Sequence, residues 1–331
     1  MLTKLITEGV DICRINMAHA DHDWTRATVE KIRNVSKKVG RELSILIDIK
    51  GPEIRTCHME NSIVLEKGQR VDLSIDANTF TQDPDGVPVI GVNYPSLIQD
   101  ISVGNAVQVD NGLLKFEVID KTESRIKCRV VIGGKLGSRR HINLPGVKIN
   151  LPAITEKDRG DIQVGHEAGV DQYALSFVRE ATDIDILREY LVSIGATGKV
   201  VAKIEDQSAI SNLDEIIQAA DSLMVARGDL GIECPYEELP IIQRRTVKQC
   251  LRKGKGVIVA THMLESMIEN PVPTRAEVTD VANAVLNKPT ALCFQAKRPS
   301  ENIRWNVSAY LIGLLFALKH RAAQDLAKAV Y

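Results

Sequence analysis

The rhythm of apolar and polar positions along this chain changes twice. Residues 2–9 read as a short helix ending at Gly9, and Val10–Asn16 as a strand. A helix follows from about Trp24 to Val39, then a strand over Glu42–Lys50 with the run Leu-Ser-Ile-Leu-Ile-Asp. Near-continuous apolar runs alternating with helices predict buried parallel strands in βαβ units. From about Ile54 to Val147 the segments become short and alternating: Ser62–Leu65, Arg70–Ile75, Ala106–Val109, Leu114–Ile119 and Arg125–Ile132. Turn signals such as Asp83-Pro-Asp-Gly86 and Gly133-Gly134 separate them, which predicts a small antiparallel β-domain. The α/β rhythm returns at Leu151-Pro152. Helices are expected over Glu156–Ala168, Ala181–Ile194, Asn212–Ala219 and Glu238–Lys253. They alternate with strands over Gln172–Phe177, Lys199–Glu205, Ser222–Ala226 and Val257–Ala260, and Thr290–Gln295 reads as one more. This repeat predicts an α/β protein built as a (β/α) barrel, with the β-domain in one of its upper loops.

The expected organisation is therefore a barrel from residues 1–52 and 152–295, a lid from residues 53–151, and a divergent helical tail over 296–331. In the tail, Asn306–Lys328 reads as a helix that is apolar nearly all round from Val307 to Leu318, a pattern of burial or of a subunit contact. That makes a homo-oligomer the expected assembly.

Composition narrows the class. The chain has 331 residues, 44% hydrophobic and 26% charged, with a net charge of -1. Such a balance provides no field for gripping nucleic acid or an anionic membrane, and the aromatic share of 4% is low for base stacking. The six cysteines are scattered with no Cys-x-x-Cys pair, which argues against structural zinc and fits free thiols in a reducing compartment. The start is amphipathic and carries a glutamate, so it does not read as a signal peptide, and the apolar run Val307–Leu318 is too short to span a bilayer. The expected location is the cytoplasm.

The candidate chemistry centres on Met224–Glu233, an apolar strand end that breaks at Gly228 beside Asp229. Upstream, Lys203 and Glu205 are two apart and share one face of a strand. Glu205 and Asp229 lie 24 residues apart, about one βα unit, so they should top adjacent strands. Two converging carboxylates suit Mg²⁺ or Mn²⁺, and Lys203 would offer a point charge to a phosphoryl group. The competing explanation is an internal Lys–Glu pair plugging the barrel mouth. Gly228 opens a short helix whose amides could meet an anion, or is simply a turn residue. Thr261 projects into the mouth as a ligand or proton relay, or caps a helix over His262–Glu269. Asn16 and Asp48 could supply oxygens to a monovalent cation, and Arg14 and Arg55 could grip phosphate, unless they are solvated loop charges.

At these residues the chain resembles pyruvate kinases, in colinear order over roughly residues 2–287. The match includes Arg-Ile-Asn-Met-Ala-His at 14–19, Asp-Ile-Lys-Gly-Pro-Glu-Ile-Arg-Thr at 48–56 and Asn-Leu-Pro-Gly at 143–146. It continues through Leu-Pro-Ala-Ile-Thr-Glu-Lys-Asp at 151–158, Ser176-Phe177, Lys203-Ile-Glu205 and the stretch 224–233. Ala-Thr-His-Met-Leu-Glu-Ser-Met at 260–267 and Pro-Thr-Arg-Ala-Glu at 273–277 complete it. The resemblance implies a barrel with a β-domain lid and phosphoryl transfer from phosphoenolpyruvate to ADP, giving pyruvate and ATP. It implies Mg²⁺ on Glu205 and Asp229, with Lys203 and Arg14 on the phosphoryl group. Gly228, Asp229 and Thr261 would bind the substrate carboxylate, with enolpyruvate protonated through Thr261. K⁺ would lie on Asn16, Asp48 and the carbonyl of Ile49, with Glu53 accompanying K⁺ dependence. Arg55 and Arg140 would face nucleotide phosphates, with Asp110 in the lid.

Several positions depart from the family pattern. Ala18 stands where the family has a serine, Ile49 where it has a threonine, and His262 where it has a glutamine. The first barrel strand is not found, Gln-Ala-Lys-Arg replaces the family's Ser-Gly-Glu-Thr, and the regulatory domain is missing. The expected fold is thus an incomplete (β/α)8-type TIM barrel with an inserted lid. Two alternatives to an active kinase remain: a catalytically impaired relic serving as a binding or oligomerisation module, and a metal-dependent lyase on a phosphoenolpyruvate-type barrel. The inserted lid and Lys203 argue against the lyase.

Overall fold

A computed structural model describes residues 2–293 except 77 and 79. The chain opens with α1 (Leu2–Thr7), β1 (Ile12–Asn16), α2 (His22–Val39) and β2 (Ser44–Asp48). Local chemistry sets the bounds of α2. The Asp21 carboxylate accepts from the Trp24 amide at the N-terminus, and Gly40 ends the helix in the left-handed region at φ 73°.

The chain then leaves for β3 (Ile63–Leu65), β4 (Arg70–Ser74), β5 (Thr81–Gln82), β6 (Pro88–Gly91), α3 (Leu97–Asp100), β7 (Ala106–Val109), β8 (Leu114–Lys121), β9 (Arg125–Ile132), β10 (Gly134–Leu136) and β11 (Ile142–Asn143). Seven of these strands form one sheet in the order β11-β7-β8-β9-β4-β6-β5, antiparallel except for the β4–β6 pair, while β10 pairs with β3. This part has its own apolar cluster, with Val71, Leu73, Ile90, Val107, Phe116, Ile126 and Val130 at its centre.

It returns through α4 (Glu156–Ala168), β12 (Gln172–Leu175), α5 (Ala181–Ser193), β13 (Lys199–Ile204), α6 (Gln207–Ser211), α7 (Leu213–Ala219) and β14 (Ser222–Ala226). Then follow α8 (Arg227–Glu233), α9 (Leu239–Arg252), β15 (Gly256–Ala260), α10 (Arg275–Leu286) and β16 (Ala291–Cys293). Capping boxes at Thr155–Asp158 and Thr274–Glu277 start α4 and α10.

The second sheet is parallel and seven-stranded, in the order β1-β2-β12-β13-β14-β15-β16. Side chains alternate across it. Ile45, Ile47, Tyr173, Leu175, Val200, Ala202, Leu223, Val225, Val257 and Val259 face outward into the helix layer. Leu46, Ala174, Val201, Met224, Ile258 and Ala260 form a separate inner cluster, with Ile12, Ala291 and Cys293 packed on it. Arg14 of β1 lies near Cys293 of β16, so the two edge strands curl toward one another. Among the described residues this is a barrel-type sheet of seven strands, matching the expected incomplete barrel.

Some expectations need correction. The stretch His262–Glu269 is not an α-helix. Thr261, His262 and Leu264 all have positive φ (74°, 54° and 56°), and only a 3₁₀ turn over Glu265–Ile268 follows. The helix expected over Asn212–Ala219 starts earlier, as two short helices that meet at Asn212. The short pairings β5, β6, β10 and β11 were not anticipated. The tail helix expected over Asn306–Lys328 lies outside the described residues, as does the end of the strand expected over Thr290–Gln295. Among the described residues no helix is long and apolar enough to cross a membrane.

Candidate active site

The inner face of the parallel sheet changes character along the strands. Leu46 is followed two residues on by Asp48, Ala174 by Ser176, and Val201 by Lys203 and then Glu205. The period of two carries each apolar column into a polar side chain at the C-terminal edge, where parallel α/β sheets place their ligand sites.

Those polar groups meet. The Lys203 ammonium lies 2.8 Å from Glu205 Oε1 and 3.1 Å from Asp48 Oδ1, and donates to Ser176 Oγ at 2.7 Å. Arg14 pairs with the other side of Asp48, its Nε donating to Oδ2 at 2.7 Å. Lys203, Glu205 and Asp48 are all buried, at 8%, 1% and 2% exposure. Burial alone would neutralise such groups. Burial works to depress the Lys203 ammonium, yet Asp48 and Glu205 together hold it above its ordinary value. Burial likewise opposes the Asp48 charge, but Lys203 and Arg14 keep that carboxyl below the usual range.

Glu205 behaves differently. Burial pushes its carboxyl up to about 7, against the pull of Lys203 and with help from the Asp229 charge. Its Oε2 accepts from the Phe177 amide at 2.7 Å. Its Oε1 is ion-paired with the Lys203 ammonium at 2.8 Å. Asp229 is also raised, chiefly by burial and partly by the Asp48 and Glu53 charges, while Lys203 opposes the rise. Two buried carboxyls pushed toward protonation make a donor set that a hard divalent cation would relieve. Among the described residues no group of three or more His, Cys, Asp or Glu is disposed to hold a metal.

Asp229 sits in the first turn of α8, a helix of seven residues. Beside it the Gly228 amide donates to Thr261 Oγ1 at 3.1 Å, so these two sequence candidates meet each other. An added Cβ at Gly228 would lie 3.1 Å from both Thr261 Oγ1 and His262 Cε1, which explains the glycine as a close approach. The base of α8 is anchored by Arg227, which donates to Asp280 and to the Thr261 carbonyl.

The remaining candidates border this cluster or lie in the lid. Asn16 Oδ1 accepts from the Ala18 amide, and the Ile49 carbonyl accepts from Ser176 Oγ. Arg55 and Arg140 stand side by side on paired lid segments, the Thr56 amide donating to the Arg140 carbonyl at 2.8 Å. Arg55 is tied to Glu53 at 2.7 Å and Arg140 approaches Asp110 at 3.4 Å. His141, next to Arg140, has its imidazole pKa lowered mainly by burial and packs its ring against Phe177, joining lid to barrel. Residue types alone did not single out Ser176 and Phe177 as orienting groups. The alternation Ala174, Ser176 beneath a buried lysine is the signal that could have done so.

Comparison with known proteins agrees with this architecture. A family model described as "Pyruvate kinase, barrel domain" matches residues 1–328. The chain is 47% identical over 290 residues to a pyruvate kinase of Geobacillus stearothermophilus, covering 86% of this chain and 49% of the relative. It is 43% identical over 305 residues to one of Bacillus licheniformis, covering 91% and 51%. A crystal structure of a pyruvate kinase from Cryptosporidium parvum superposes with a TM-score of 0.88 at 33% identity, covering 95% of this chain and 66% of that one. The chain spans about half the length of the curated relatives it matches. With the family model matching residues 1–328 and a relative 47% identical over 86% of this chain, the chain belongs to the pyruvate kinase family.

Proposed function

We propose that this chain carries the phosphoryl-transfer site of a pyruvate kinase, moving a phosphoryl group between phosphoenolpyruvate and ADP. The observation that carries this reading is the buried Lys203 ammonium set between Asp48 and Glu205, with the Asp229 charge close enough to raise the Glu205 carboxyl.

Phosphoryl transfer needs alignment and charge neutralisation more than covalent chemistry. Lys203 is held charged and immobile by three partners, so it supplies a fixed positive charge to an incoming phosphoryl group. Arg14 is oriented by Asp48 along the same rim and adds a second cation. Glu205 and Asp229 would hold Mg²⁺ or Mn²⁺, which when bound neutralises charge on the phosphoryl group and the enolate oxygen. The Gly228–Thr261 pair lies next to Asp229, where a substrate carboxylate would accept from the Gly228 amide and the Thr261 hydroxyl. That hydroxyl is also the group from which enolpyruvate would be protonated. Arg55 and Arg140 would meet the nucleotide phosphates from the lid.

K⁺ enters this proposal through the family resemblance alone. Asn16 Oδ1, Asp48 and the Ile49 carbonyl would hold it, and no step is assigned to K⁺.

The test is to supply phosphoenolpyruvate, ADP, Mg²⁺ and K⁺ to the purified protein and measure pyruvate. Turnover that disappears on chelation is expected. A folded protein that binds Mn²⁺ yet forms no pyruvate would instead be a binding module built on the same fold.

A further inference from the structure

Phe177 holds a backbone conformation that its side chain disfavours. Its φ is 55°, in the left-handed region, where a bulky residue is an outlier. Such a residue persists only where its surroundings fix it, and strain of this kind gathers at functional sites. Both flanks are pinned here. Ser176 Oγ donates to the Ile49 carbonyl at 2.6 Å and accepts from Lys203 at 2.7 Å. Arg179 donates to the Ile149 and Leu151 carbonyls at 2.9 and 2.7 Å and to the Asp183 carboxylate at 3.0 Å. Its own carbonyl accepts from Asn212 Nδ2 at 2.8 Å.

The left-handed residue changes what the strand end presents. Alternation along β12 sends Ala174 and Ser176 inward, so residue 177 would turn away from the cluster. Instead the Phe177 amide donates to Glu205 Oε2 at 2.7 Å. Two consecutive residues thus serve one cluster: Ser176 meets the ammonium through its hydroxyl, and Phe177 meets the carboxylate through its backbone. Gly51 closes the back of this turn. It is also left-handed, at φ 72°, and its amide donates to the buried Asp158 carboxylate at 3.2 Å. An added Cβ there would stand 3.1 Å from Ser176 Cβ and 3.2 Å from Phe177 Cδ2. The Phe177 ring meanwhile tilts against His141, with centroids 5.9 Å apart, so ring and amide have separate partners.

We propose that Phe177 is a positioning residue acting through its backbone: the left-handed conformation, and not the aromatic ring, fixes Glu205 for cation binding. That Glu205 binds a divalent cation rests on the function proposed above.

The experiment compares Phe177→Gly, Phe177→Asn and Phe177→Val with the unaltered chain. Mn²⁺ binding is followed by electron paramagnetic resonance, exchange of the residue 177 amide by nuclear magnetic resonance, and folding by circular dichroism. Glycine and asparagine enter the left-handed region readily, whereas β-branched valine resists it. The glycine and asparagine variants should therefore retain Mn²⁺ affinity and a protected amide although both lose the ring. Phe177→Val should weaken Mn²⁺ binding about tenfold, the worth of one charge-assisted hydrogen bond, and expose the amide to exchange. Affinity that instead follows side-chain bulk, with valine above asparagine and glycine, would overturn the proposal, as would a valine variant unchanged on both measures. Should Phe177→Val not fold, the other two decide: retained affinity supports the proposal, and weakened affinity in both overturns it. An unaltered chain with no affinity for Mn²⁺ would overturn the cation-site reading, and the exchange order would then judge the Phe177–Glu205 contact by itself.

Discussion

Arg227 and Asp280 face each other fork to fork, with Nη1–Oδ1 at 2.6 Å and Nη2–Oδ2 at 2.8 Å. The arginine side chain is 9% exposed, and it also donates to the Thr261 carbonyl. The pair thus ties the first residue of α8 to α10 and to the turn that presents Thr261. Replacing Asp280 by alanine leaves a buried guanidinium with half its acceptors. The expected loss is about 2 kcal/mol of stability, read from urea unfolding, with Asp280→Glu losing less.

Lys203→Met removes the one ammonium shared by Asp48, Glu205 and Ser176. If Lys203 stabilises the group in flight, kcat for pyruvate formation should fall by about 10²–10³-fold while the KM for phosphoenolpyruvate moves far less. A fall confined to KM would make Lys203 a binding residue only.

Glu233 produces a pH-dependent stability. Burial raises its carboxyl from the ordinary 4.5 to about 7, with the Asp206 and Asp229 charges adding to the rise and Asn143 opposing it. The folded state therefore holds this proton more tightly than the unfolded chain. The group costs nothing below pH 4.5, destabilises progressively as pH rises from there, and exerts its full penalty above about 7. Glu233→Gln carries no such charge. Its Tm should converge with that of the unaltered chain near pH 4.5 and exceed it at pH 8. A constant Tm difference across that window would refute this.

Gly133 lies where an added Cβ would come 2.4 Å from the Leu65 carbonyl, so β10 and β3 approach too closely for any side chain there. Gly133→Ala should cost about 1–3 kcal/mol through forced backbone displacement. Gly134, the next residue, has only ordinary contacts at 3.9 Å, and Gly134→Ala serves as the control. Paired unfolding curves would separate the two.

Much of the site was legible because it follows a period of two. The inward column of each strand could be extended from Leu46 to Asp48 and from Val201 to Lys203 and Glu205 on the sequence alone. What escaped is what no local pattern encodes. The helix placed after Thr261 was an error of this kind, because the left-handed backbone at Thr261, His262 and Leu264 leaves no trace in residue types that also start helices. The Gly228–Thr261 and Asn143–Glu233 bonds join residues 33 and 90 apart, beyond any periodicity. The two-residue strands β5 and β11 are too short to show alternation at all.

The β-rich insertion has an apolar cluster separate from those of the parallel sheet. It leaves the scaffold after β2 and rejoins it before α4, a single gap in the order of βα units. Such a cassette can be lengthened, trimmed or exchanged over generations without recutting a barrel stave. Variation in what covers the mouth is thereby uncoupled from the staves that carry the charged rim.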